Sequence, residues 1–152
     1  MSDSRSTDRI VVEEVLPHTP TLVWRAITTP ALIARWIRMT PTGFAPEVGT
    51  RFTFRTTPAG DWDGTIRCEV LEAIPPRTLA YAWRGGHAAN QGYGSLLDTV
   101  VTFTLTPVDA GTHLTIVHSG FALPGNESAL RTMGGGWKGI PARIAALAGE
   151  ID

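Results

Sequence analysis

One cysteine, two tyrosines and a low share of charged residues mark this sequence of 152 amino acids by what it does without. A single thiol, Cys68, excludes an internal disulfide and leaves a zinc site of several thiolates without ligands. Thirteen Lys and Arg stand against fourteen Asp and Glu, for a formal net charge of -1, and neither sign forms a block of five or six. That balance argues against nucleic acid and against an anionic membrane surface as partners. No apolar run approaches the roughly 20 residues that a membrane-spanning helix needs, and residues 1–8 (Met-Ser-Asp-Ser-Arg-Ser-Thr-Asp) carry no apolar stretch of the signal-peptide kind. A cytoplasmic protein is the default expectation. Of the four histidines, His18 and His87 fall in expected loops, while His113 and His118 have opposite strand parity and cannot chelate one ion from one sheet face. Neither a metal nor a bound cofactor is expected.

What is present is strong periodicity. The β-branched run Ile10, Val11, Val12 and Val15 reads as a first strand ended by Pro17, preceded by a disordered polar tail over 1–8. Thr19-Pro20 and Thr29-Pro30 then repeat one start signal, a hydroxyl N-cap followed by proline at the first helical position. Helical spacing of Val23, Trp24 and Ile27, and of Leu32, Ile33, Trp36 and Ile37, predicts two short helices over about 19–27 and 30–38. From Gly49 the period changes to two. Phe52 and Phe54, then Ile66, Cys68 and Val70, then Leu79, Tyr81 and Trp83, then Val101, Phe103 and Leu105, then Leu114, Ile116 and His118 alternate with polar residues, with turns at Pro75-Pro76 and Asp109-Ala110-Gly111. Loops between them are too short for crossover helices, so the strands are antiparallel.

Residues 123–133 read as a loop with at most a helical turn begun at Asn126, and Gly134-Gly135-Gly136 as a hinge. Trp137, Ile140, Ile144, Leu147 and Ile151 follow at spacings of three and four, one face of a C-terminal helix. Pro141 either delays the start of that helix to Gly139 or distorts its first turn. Such a helix has one large apolar surface to cover, a face of the sheet. One domain over 9–152 is expected, burying roughly 70% of the surface of its unfolded chain.

Strand, two short helices, a run of antiparallel strands and a final helix resembles the START-like helix-grip fold of the SRPBCC superfamily. Val23-Trp24-Arg25-Ala26-Ile27-Thr28-Thr29-Pro30, Trp36 and Val48-Gly49-Thr50-Arg51-Phe52 resemble the opening of proteins similar to the activator of heat-shock protein 90 ATPase. Gly64, Pro75-Pro76-Arg77-Thr78-Leu79 and Trp83 are similar to that family's middle strands, and Gly111 to Phe121 with Gly136-Trp137 to its end, so the likeness runs over about 9–148. It implies an α+β fold, an antiparallel sheet of six or seven strands curved around a long C-terminal helix, enclosing a pocket for a small molecule.

Within such a fold the alternation nominates Phe52, Phe54, Ile66, Tyr81, Trp83, Phe103, Ile116, His118, Trp137, Ile140 and Ile144 as lining, each with plain core packing as the competing reading. His118, on the inward parity, is the candidate acid, base or ligand-orienting group, against a satisfied core histidine. Cys68 lacks a neighbouring base and reads as a small buried hydrophobe, and Asp61-Trp62-Asp63 as turn chemistry. The leading function is binding of a small apolar or aromatic molecule, without turnover. The alternatives are an enzyme resembling polyketide cyclases that uses His118, Tyr81 or Arg84, and an interaction module for a chaperone; pairing with a second copy of the chain is left open.

Overall fold

A computed structural model describes residues 6–151. Six strands and four helices follow in the order β1 (Ser6–Leu16), α1 (Pro20–Thr28), α2 (Pro30–Ile37), β2 (Arg51–Arg55), β3 (Thr65–Ile74), β4 (Thr78–Gly85), β5 (Leu97–Val108), β6 (Gly111–Leu123), α3 (Glu127–Lys138) and α4 (Ile140–Ile151). The strands form one antiparallel sheet in the order β1-β6-β5-β4-β3-β2. Every neighbour except β1 and β6 is also next in sequence, so hairpins build the sheet and the last strand returns to pair with the first. This is the helix-grip architecture. Register shifts between Asp8 and Arg9 and between Val70 and Glu72 mark bulges, which bend the strands they interrupt. Phe52 and Phe54, Ile66, Cys68 and Val70, and Phe103 and Leu105 all turn to the buried face, following the alternation of the sequence.

Three local readings are corrected. β1 begins at Ser6, inside the segment assigned to a disordered tail, because the long β6 offers partners as far as Leu123; residues 1–5 lie outside the described residues. Thr19 caps α1 as expected, accepting from the Leu22 amide at 3.3 Å, but Thr29 does not cap α2 with its side chain. Only Thr29 separates the two helices, and its hydroxyl donates back to the Arg25 carbonyl at 2.6 Å, so it is already spent on the end of α1. The third correction is the largest. Residues 127–138 form a three-turn helix, α3, that absorbs most of the expected loop and all three glycines of the expected hinge.

Glycine weakens a helix by about 1 kcal/mol per residue relative to alanine, so α3 depends on tertiary contacts. Leu130 and Met133 pack on the core, and Asn126 anchors the entry. Its side-chain oxygen accepts from the Ala122 amide at 2.8 Å while its amide nitrogen donates to Ser95 Oγ at 3.0 Å and to the Leu96 carbonyl at 2.8 Å. The C-terminal helical segment is therefore bent: α3 stops at Lys138, Gly139 intervenes, and α4 starts at Ile140 with Pro141 in its first turn, where a missing N–H leaves no bond unmade. α3 covers β1 and β6, whereas α4 packs on α1, α2 and β1. None of the described helices is long and apolar enough to cross a membrane.

An ion pair ties α2 to α4, with Arg35 Nη1 and Nη2 donating to the two Glu150 carboxylate oxygens at 2.9 and 3.3 Å. Both side chains are more than half exposed, so solvent screens the attraction and the pair contributes little to stability. Glu150→Gln is accordingly expected to leave the denaturation midpoint nearly unchanged; a large drop in denaturant melts would show that the pair organises the helix docking.

Candidate functional site

Between the sheet, α3 and the start of α4 lies a cavity of about 440 Å3. The sheet contributes Ile66 from β3 and Trp83 from β4. α3 and α4 contribute Ala129, Thr132, Met133, Gly136, Trp137, Ile140 and Arg143, and the end of α2 contributes Ile37 and Arg38. The mouth is formed by two loops that hold each other. Asn90 Nδ2 donates to the Ala59 carbonyl at 2.7 Å and to the Gly94 carbonyl at 3.2 Å, and Tyr93 donates its hydroxyl to the Thr57 carbonyl at 2.6 Å. Trp62 packs against Tyr93 with ring centroids 6.0 Å apart, its own N–H donating to the Thr65 carbonyl. Gly86 lets the second loop leave β4: at φ +77 it holds a conformation unfavourable for other residues, and a Cβ there would run into the Ser95 carbonyl oxygen.

Of the residues nominated from the sequence, Ile66, Trp83, Trp137 and Ile140 reach the cavity wall. Phe52, Phe54, Tyr81, Phe103, Ile116, His118 and Ile144 are buried in the core behind it. The packed aromatics stack edge to face, Phe52 on Tyr81 at 5.1 Å and Phe103 on Trp137 at 6.1 Å. Ala129, Thr132, Met133, Gly136, Ile140 and Arg143 went unnominated except for Ile140, yet they recur at spacings of three and four. That stripe was readable once 127–138 is a helix. Trp62 and Tyr93 had no periodic signal, since loops placed them, whereas Leu97 opens β5 in step with Val101, Phe103 and Leu105.

His118 is fully buried and both of its ring nitrogens are engaged. Trp137 Nε1 can only donate, and it lies 3.0 Å from His118 Nδ1, which must therefore accept. The proton then sits on Nε2, which donates to Thr99 Oγ1 at 2.7 Å, and the Thr99 hydroxyl donates onward to the Trp83 carbonyl at 2.8 Å. Burial pushes the imidazole pKa down to about 3, so the ring is neutral near pH 7. In this arrangement His118 holds the Trp137 indole in the cavity wall and has no free lone pair for a ligand.

The other polar candidates do not converge with it. Arg84 has the outward parity and pairs with Asp98 at 2.9 Å on the exposed side of the sheet. Tyr81 is buried away from the cavity, and desolvation raises its pKa well above the ordinary phenol range. Burial likewise pushes the Cys68 thiol up, so it is no thiolate near neutral pH. Asp63 accepts from the Thr65 amide at 2.9 Å, in a turn. Among the described residues no three His, Cys, Asp or Glu side chains cluster as metal ligands. One buried side-chain polar atom among them lacks a hydrogen-bond partner, Nε1 of Trp83.

A sheet gripped by helices around such a cavity invites comparison with known proteins. The family model described as Activator of Hsp90 ATPase homolog 1-like protein matches residues 17–149. The chain belongs to this family. Among solved structures, this Activator of Hsp90 ATPase homolog 1-like domain is similar to protein MLL2253 from Mesorhizobium loti, at 37% identity and a TM-score of 0.80 over 95% of this chain and 99% of the other. NE0264 from Nitrosomonas europaea, at 19% identity and a TM-score of 0.70 over 95% and 96%, shares the fold. So does CalU16 from Micromonospora echinospora, at 20% identity and a TM-score of 0.67 over 96% and 87%. No curated protein matches the chain.

Proposed function

We propose that the domain binds a small, largely apolar or aromatic molecule in the cavity between the sheet, α3 and the start of α4. The observation that carries this reading is the character of that cavity. Its volume lies within the range usual for small-molecule sites, and its wall is made by Trp62, Trp83, Trp137, Leu97, Met133 and Ile140. Binding rather than turnover is favoured because His118, Tyr81 and Arg84, the groups a cyclase-like reaction would draw on, occupy three different environments.

The neutral fluorophore N-phenyl-1-naphthylamine tests the reading. Saturable uptake at one site per chain is expected, with energy transfer from the cavity tryptophans. Ala129→Trp, which would place an indole in the cavity from α3, should weaken uptake at least tenfold while leaving the circular dichroism of the fold intact. Absence of saturable uptake by the folded wild-type protein would remove the binding reading.

A further inference from the structure

The charged side chains of the cavity wall are both positive, while its other polar members, Thr56, Tyr93, Ser95, Ser128 and Thr132, are neutral hydroxyls. Arg143 of α4 and Arg38 at the end of α2 both line it, and no Asp or Glu does. Arg143 is half-buried. Its Nη1 donates to the Trp36 carbonyl at 3.3 Å, and Nη2 lies against Gly139, 3.6 Å from where a Cβ would stand. The guanidinium is thus held by the helix break with donors to spare, since one carbonyl uses only one of its five N–H groups. Arg38 closes α2 at φ 65, the one non-glycine residue at positive φ among the described residues, a conformation that disfavours ordinary side chains. It also borders a shallow recess shared with Arg35 and Arg55. Arg35 is neutralised by Glu150, whereas Arg38 and Arg143 have no ion-pair partner among the described residues.

We infer that the ligand of this cavity is an amphipathic anion, with a flat apolar body among Trp62, Trp83, Trp137 and Met133 and an acidic oxygen group, carboxylate or sulfonate, on the side of Arg38 and Arg143. The inference rests on the binding reading above and adds the charge of the ligand. A partly desolvated guanidinium without a counter-ion gains most from an anion that brings one, and its planar fork matches two oxygens of an acid group. The apolar wall cannot select between neutral and charged molecules of one shape, so the two arginines would supply the discrimination.

Two fluorophores with one skeleton separate the claims. 8-Anilinonaphthalene-1-sulfonate carries an acid group that N-phenyl-1-naphthylamine lacks. At low salt the sulfonate is expected to bind the wild-type protein at least tenfold tighter than the neutral compound, and to lose affinity as ionic strength rises. Arg143→Gln and Arg38→Gln should each remove most of that preference while changing the affinity for the neutral compound less than twofold. Arg38 is exposed and outside the core, so Arg38→Gln keeps the test valid should Arg143→Gln fail to fold. Arg51→Gln, at an exposed position on the far edge strand, should leave both affinities unchanged. Equal wild-type affinities for the two compounds, or a preference that survives both substitutions, would overturn the anion inference with the cavity reading intact; if neither compound binds, the cavity reading itself falls.

Discussion

Acidification should destabilise this protein through one side chain before its carboxylates are titrated. His118 has a folded-state pKa of about 3 because burial disfavours the imidazolium, whereas an unfolded chain protonates histidine near pH 6.5. The unfolded state therefore takes up the proton first. The stability contributed by the neutral buried ring is fully present above about pH 6.5 and is lost as the pH falls towards 3, at about 1.4 kcal/mol per pH unit. Protonation in the folded state would also force a proton onto Nδ1, the atom that accepts from Trp137, and so break the contact that holds that indole. Denaturant melts of the wild type and of His118→Asn between pH 7 and 4.5 check this. Asparagine offers an acceptor to Trp137 without titrating, so the variant should be less stable at pH 7 but show a shallower slope. Parallel slopes would mean that His118 is not the group responsible.

Truncating the inner face of α4 should cost nearly as much. Ile144 is wholly buried and Leu147 is 4% exposed, while Ala146 is exposed. Removing a buried Ile or Leu side chain to the β-carbon costs about 2–5 kcal/mol, from lost transfer energy and the void left behind. Ile144→Ala and Leu147→Ala are each expected in that range, because α4 holds α1, α2 and β1 together and the surrounding elements cannot collapse onto the gap without moving one another. Ala146→Lys should change stability by no more than about 0.5 kcal/mol. If the lysine proved the most damaging of the three in denaturant melts, the assignment of faces on α4 would be wrong.

Much of the scaffold could be read from residue order. Period-two alternation located the strands because each has one buried and one exposed face, and proline after threonine located the starts of α1 and α2 within a residue. α3 escaped for a stated cause: Gly134, Gly135 and Gly136 carry poor helix propensity, and what overrides them is packing of Leu130 and Met133 on the core together with the buried Asn126 anchor. The same oversight hid the α3 side of the cavity wall, since Ala129, Thr132, Met133 and Gly136 line it from that helix.

The inward parity of His118 was fixed by the sequence pattern, but its partners were not. Thr99 lies on the neighbouring strand and Trp137 on a helix reached only through the β6–α3 connection, and their donor chemistry decides the ring's tautomer. In the same way, periodicity determined that Phe52, Tyr81, Trp83 and Phe103 all face inward, and it had no means of saying which of them would meet another side chain and which would meet open space. That depends on where α3 and the loops around Trp62 and Tyr93 stop short of the sheet. Inward direction is a property of neighbouring residues on one strand; a void is a property of two surfaces that fail to touch, and only the tertiary structure brings both surfaces together.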